Sequence, residues 1–304
     1  ATLVIGASLN RAADALAAAM QDQQPPAVDA GAPVRVIGSG RVRHRGVEYG
    51  SEAHQRIMRA FEERATKHEA RIAAATAELF RSQKKSILAN LKNGRAHTRA
   101  DKPIEEDPFD LARWTKQFRT TIKPVFAETV KDVGQATLGD LGLDIAFDVQ
   151  DPNVLRFLAG RSQRFATELN ATTYTQLQTS LSEGVDAGES IDDLAARVEA
   201  VMGDRIRSSA TTIARTEVIG ASNGGALLSA QQSEVVQGKT WLAALDERTR
   251  DTHIAAHNQT VRLNEDFVVG DGSGPHPGAI GLPEEDIQCR CIMTFVLDTE
   301  EMPQ

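Results

Sequence analysis

Residues 204–242 read DRIRSSATTIARTEVIGASNGGALLSAQQSEVVQGKTWL, and the fold class turns on a change of texture inside this stretch. From Asp204 to about Gln232 the residues suit a helix, and Gly224-Gly225 inside it suits close approach of a second helix. After Gly238 the pattern changes, and Lys239-Thr240-Trp241-Leu242 suits a short strand. Arg248 to Ala256 has room for one or two helical turns. Asn258 to Pro283 is rich in Gly and Pro turn signals. Ile292 to Leu297 is apolar and β-branched, as a closing strand should be.

Upstream the signals are helical. Ser190 is positioned to cap a short helix, with Asp193 standing in for the usual Glu of a capping box. Gly203 is expected to stop that helix. Asp151-Pro152 starts a helix that runs to about Ser182. Pro108 suits the first turn of another, ending near Val133 with a kink at Pro124. Ser51 opens a long stretch without Gly or Pro until Gly94. Ile57, Phe61, Ala65, Ile72, Leu79, Ile87 and Leu91 recur on it at helical spacing. A helix this long suggests an extended arm or a hairpin. Residues 7–23 read as a further helix, 24–50 as an irregular linker with a short strand at Val34 to Val42, and 93–107 as a polar linker.

The expected architecture is therefore mainly α: an extended helical arm and a helical bundle, followed by a small α+β C-terminal unit. The domain reading is 1–105 for the partly basic arm, 106–235 for the helical domain and 236–304 for the closing unit. The 304 residues contain only 5% aromatics, so Leu, Ile, Val and Ala must build the core. No apolar run reaches the roughly 20 residues that span a bilayer. Ala1 to Met20 lacks the order of a secretory signal. Cys289 and Cys291 are two apart, too close for an unstrained disulfide, which suits a reducing compartment. Residues 41–102 hold 15 Lys+Arg and 7 Asp+Glu, net +8, against −8 for the whole chain. Arg56, Arg59, Arg64, Lys67, Arg71, Lys84 and Lys85 are the candidates there for nucleic-acid contact, and a solvated helix face is the competing reading.

One ordered set of short motifs stands out. Ile213-Ala214-Arg215-Thr216-Glu217 and Asn223 lie on a helix. Lys239-Thr240-Trp241, Asp246-Glu247-Arg248-Thr249-Arg250, His253 and Cys289-Arg290-Cys291 follow. In order and spacing this set resembles the phage head-morphogenesis (MuF-type) family. Two places depart from its pattern: His257-Asn258 where an Asp-Gly turn is common, and Asp286-Ile287-Gln288 where a His-Pro often precedes the cysteines. The resemblance implies a minor capsid protein of the virion interior, made in the host cytoplasm. Its implied partners are the portal, other capsid proteins and packaged double-stranded DNA. A chain of this kind could also be the trailing part of a portal fusion.

The residues leave two questions open. His253 and His257 share a helix face at four-residue spacing and, with Cys289 and Cys291, would form a His2Cys2 set suited to structural zinc. The alternative is that the cysteines are small buried hydrophobes and His253 bonds within the fold. Arg215 and Glu217 suit an ion-pair network with Asp246 or Arg248, which would fasten the Trp241 strand to the helix. The rival class is a metal-dependent nuclease using His253 and Asp246. Neither a His-Glu-x-x-His motif nor a phosphate loop accompanies it.

Overall fold

The computed structural model describes residues 47–97 and 109–298. The helix expected at 7–23, the strand at Val34 to Val42 and the polar linker beyond residue 97 lie outside the described residues. Five long helices come first: α1 (Glu52–His97), α2 (Leu111–Asp140), α3 (Pro152–Asp186), α4 (Ile191–Asp204) and α5 (Ala210–Ser233). The closing unit follows with β1 (Val236–Leu242), α6 (Asp251–Ala255), β2 (Thr260–Arg262), β3 (Phe267–Val269), β4 (Gly272–Gly274), α7 (Pro283–Asp286) and β5 (Ile292–Leu297). Mainly α with a small α+β unit describes this arrangement.

α1 is one continuous helix of 46 residues, about 69 Å long at 1.5 Å per residue. It is not a hairpin, and it does not stand off as an arm. Its stripe of Met58, Ala65, Ile72, Leu79, Phe80, Ile87 and Leu91 is buried, and it packs along α2, α4 and α5. A free amphipathic helix would leave that stripe in water, which is why it lies down on the bundle. Ser51 caps it through the His54 amide at 3.2 Å.

The other helices begin where side-chain caps satisfy orphan amides. Asp110 accepts from the Arg113 amide, Asp151 from the Asn153 amide, and Ser190 with Asp193 forms the reciprocal capping box. α2 runs through Pro124 and past Val133 to Asp140. Gly134 lets it do so beside the Phe147 ring, since a Cβ there would lie 2.8 Å from that ring. Gly203 does not end the chain's helical path. Arg205–Ser209 form a π-helical turn that joins α4 to α5, and this turn sets the Arg205 guanidinium 4.9 Å over the Phe80 ring.

α5 is the axis of the bundle. Every residue from Val218 to Ala230 is buried, as expected for a helix surrounded by other elements. Gly225 meets the backbone of Val130 on α2, where an added Cβ would sit 3.0 Å from the Val130 carbonyl oxygen. The first sheet has strand order β2-β1-β5, all antiparallel, with Lys239 opposite both Val261 and Phe295. β3 and β4 form a separate hairpin. β1 is thus central, and Trp241 on it is fully buried.

Candidate functional site

The end of β1, the short helix α6 and the turn entering β5 converge on one buried cluster. α6 presents His253, and the Cys289-Arg290-Cys291 turn presents two sulfurs to it. His253 Nδ1 is 3.2 Å from Cys291 Sγ and 3.8 Å from Cys289 Sγ. The three donor atoms lie within 4.8 Å of one another and form the single such His, Cys or carboxylate group among the described residues. Each of the three residues is 1% exposed. On the far side of the ring, His253 Nε2 is 2.9 Å from Glu285 Oε2. That oxygen also accepts from the Thr252 hydroxyl at 2.9 Å. Trp241 stacks its edge on His253 at 5.5 Å.

The electrostatics follow from burial and from the partners. Burial pushes the His253 imidazolium down, but the neighbouring Cys289 and Glu285 outweigh it and its pKa is raised. The Cys289 thiol is pushed well up by its contact with Cys291 and by burial. Burial acts the same way on Cys291, yet the Cys289 thiol, the Ala244 amide and the Trp241 indole together hold it below the usual thiol range. The cluster therefore favours the charged form of the His253 ring and of the Cys291 sulfur, and the neutral thiol at Cys289.

The helix α5 holds the cysteine turn. Thr216 Oγ1 accepts from the Gln288 amide at 3.0 Å, and Asn223 Nδ2 donates to the Cys291 carbonyl at 3.1 Å. Gln288 has a φ of 57°, a left-handed residue that turns the chain toward Cys289. Arg290 Nη2 donates to Asp246 Oδ1 at 2.7 Å. Asp246 also accepts from the Arg248 amide at 2.8 Å. The Arg248 residue itself is exposed.

The structure thus joins His253 with Cys289 and Cys291 and separates His257 from them. His257 Nε2 is bonded to the Val47 carbonyl at 2.6 Å, and its ring stacks on His54 at 4.9 Å. Four-residue spacing fails to bring the two histidines together because α6 ends at Ala255. The network expected among Arg215, Glu217, Asp246 and Arg248 also divides. Arg215 pairs with Glu69 on α1 at 3.1 Å, and Glu217 pairs with buried Arg161 on α3 at 2.7 Å. These ion pairs fasten helix to helix, while Asp246 and Arg290 fasten the closing unit to itself. Of the seven basic candidates on α1, Arg64, Lys67, Arg71 and Lys84 pair with Asp140, Asp132, Glu128 and Glu199 of the bundle. Arg56, Arg59 and Lys85 are exposed and make no ion pair among the described residues.

Several residues of the site were not singled out by sequence reading. Glu285 sits beside Glu284 and Asp286 in one short acidic run, and nothing in the run marks which carboxylate turns inward. Tyr49 and His54 lie at the start of α1 and reach the loop after β1. Tyr49 donates its hydroxyl to the Ala244 carbonyl at 3.0 Å, and His54 Nε2 donates to the Ala243 carbonyl at 2.8 Å. Arg161 reads in sequence as one more surface charge on α3.

Comparison with known proteins falls on the same region. Residues 175–294 match the family described as Phage Mu protein F like protein. The chain is 31% identical over 155 residues to Minor head protein GP7 of Bacillus phage SPP1, covering 50% of this chain and 49% of that protein. It is 27% identical over 150 residues to the NAD(+)--arginine ADP-ribosyltransferase EFV of Enterococcus faecalis, covering 49% of this chain and 30% of that protein. It is 22% identical over 201 residues to the uncharacterized protein YqbB of Bacillus subtilis, covering 64% of each. The chain thus spans half or less of the length of the first two relatives. No solved structure matches it. The matched residues 175–294 hold both the central helix and the buried cluster, so it is this part of the chain that is similar to the Phage Mu protein F like family.

Proposed function

We propose that this chain is a structural component of a phage head, a minor capsid protein that sits at or near the portal inside the particle. One observation carries the reading: the fold uses the residues of the family pattern on itself. Thr216, Asn223, Asp246, His253 and Arg290 bond within or onto the closing unit, and Glu217 bonds to Arg161. A unit fastened in this way is a rigid part for assembly. The similarity to a minor head protein of SPP1 supports the same role. No helix among the described residues is long and apolar enough to cross a membrane.

The nuclease alternative finds less support. Asp246 is engaged by Arg290, and His253 faces two thiols and Glu285, so the two form no joint ligand group among the described residues. Contact with packaged DNA is the finer part of the proposal. Arg56, Arg59 and Lys85 support it, as exposed charges not neutralised by the bundle.

Two measurements test the reading. Mixed with the portal protein of its own phage, the chain should co-elute on size exclusion; two separate peaks would remove the portal from the account. Its affinity for duplex DNA should fall with salt, and reversing Arg56, Arg59 and Lys85 to Glu should reduce the slope of log affinity against log salt by about 2.7. An unchanged slope would remove these three residues as a DNA contact.

A further inference from the structure

Thiolate and imidazole donors that converge in a dry site are the ligand chemistry of zinc. We infer that His253, Cys289 and Cys291 bind one zinc ion, which clamps α6 and the turn into β5 beneath Trp241. The geometry fits. Bonds of about 2.3 Å to sulfur and about 2.0–2.1 Å to imidazole put tetrahedral edges at about 3.6 Å between sulfur and nitrogen and about 3.8 Å between sulfurs. The two sulfur–nitrogen distances are 3.2 and 3.8 Å, and all three donors lie within 4.8 Å.

The surroundings fit as well. Metal-binding imidazoles present one nitrogen to the ion and fix the other with a carboxylate. His253 turns Nδ1 to the sulfurs and holds Nε2 against Glu285 at 2.9 Å, with Thr252 bonding the same carboxylate oxygen. The Cys291 amide donates to Cys289 Sγ at 3.4 Å, which orients that sulfur beside His253. Three of the four tetrahedral positions are thus supplied by protein donors. The set differs from the His2Cys2 set read from spacing, because His257 is bonded to the Val47 carbonyl instead.

The ion has a structural task here. The closing unit contains a three-stranded sheet and a separate two-stranded hairpin, with β2, β3 and β4 of 3 residues each. Small units with so little sheet gain much of their stability from a staple. A zinc at this point ties α6 to the turn that α5 holds through Thr216 and Asn223.

The test is metal analysis of the full chain, purified without chelators and loaded with zinc sulfate, by inductively coupled plasma mass spectrometry. About one zinc per chain is expected. Cys289→Ser and Cys291→Ser should each lower that content, and His257→Ala should leave it unchanged. Glu285→Gln should weaken zinc affinity by about 10–100-fold while the fold persists. Cobalt loading supplies a readout that survives partial misfolding: a thiolate-to-cobalt charge-transfer band in the wild type, lost in Cys291→Ser. A folded wild-type chain that takes up no zinc overturns the inference. So does full zinc content in the Cys289→Ser/Cys291→Ser double variant, or rapid alkylation of Cys291 in the zinc-treated protein, which would mark a free reactive thiol.

Discussion

Arg161 on α3 and Glu217 on α5 form an ion pair of 2.7 Å between helices, with the guanidinium 5% and the carboxylate 18% exposed. The same guanidinium donates to the Glu217 carbonyl oxygen at 2.9 Å and lies 5.5 Å over the Phe126 ring. Burial lowers its pKa, and Glu217 opposes that. Gly220 makes the arrangement possible, because a Cβ there would lie 2.3 Å from Nη1.

Removing one partner of such a pair strands the other, at a cost of about 3–5 kcal/mol when burial is complete. Glu217 retains some exposure, so Glu217→Leu should fall toward the low end. Arg161→Met with Glu217→Leu should recover most of the loss, since apolar replacement of both partners is often neutral. Urea denaturation of the two single variants and the double measures this. Equal losses in the double and in the singles added together would mean that the pair is not coupled.

The glycines of α2 and α5 separate by what surrounds them. Gly225→Ala pushes a methyl against the Val130 backbone, which cannot rotate aside, and should cost about 1–3 kcal/mol. Gly139→Ala on α2 faces open space and should gain about 0.5–1 kcal/mol from helix entropy. Thermal unfolding of both variants reads the difference, and a stabilised Gly225→Ala protein would contradict the close α2–α5 contact.

His276 gives the fold an acid dependence. Its Nδ1–H donates to the Pro277 carbonyl at 3.0 Å, and burial, with Arg161 and Lys239 nearby, lowers its pKa to about 3. The unfolded chain takes up the proton near pH 6.5 and the folded chain does not. The contribution is therefore whole above about pH 6.5 and is lost as pH falls toward about 3, at about 1.4 kcal/mol per pH unit. Lys239, lowered to about 8 by burial, titrates above this window. Unfolding by urea near pH 7 and near pH 5 should show a loss of about 2 kcal/mol that His276→Gln abolishes. An equal loss in that variant would assign the slope to other groups.

The start of α1 is tied to the closing unit by three rings. Tyr49 and His54 bond the Ala244 and Ala243 carbonyls, and His257 stacks on His54 and bonds Val47. His54→Phe keeps the ring and leaves the Ala243 carbonyl unmatched, at a cost of about 1–3 kcal/mol. Hydrogen exchange of residues 243–249 should rise in that variant. Unchanged protection there would mean that α1 does not brace the loop.

Local signals in the sequence translated well where the physics is local. Ser190 with Asp193, and Asp151 before Pro152, marked helix starts because capping depends on neighbours in the chain. The Ile292–Leu297 strand was legible from its apolar, β-branched run. Gly203 misled, because a glycine in a packed turn can serve a π-helical bend as readily as a stop. α1 read as an arm because periodicity reveals an apolar stripe without revealing what covers it. The buried cluster was half legible. Cys289, Cys291 and His253 were marked by residue type, whereas Glu285 entered through a turn that no spacing encodes. The ion pairs went to Glu69 and Arg161, partners 146 and 56 residues away from Arg215 and Glu217, distances over which sequence patterns carry no register.

The proposed role requires that this chain be built into a phage head. The most direct measurement is quantitative mass spectrometry of gradient-purified heads formed when a tagged copy is expressed with the head proteins of its own phage. The chain should travel with the heads at a fixed ratio to the portal protein. A chain that stays at the top of the gradient while complete heads sediment without it would show that it is not a head component.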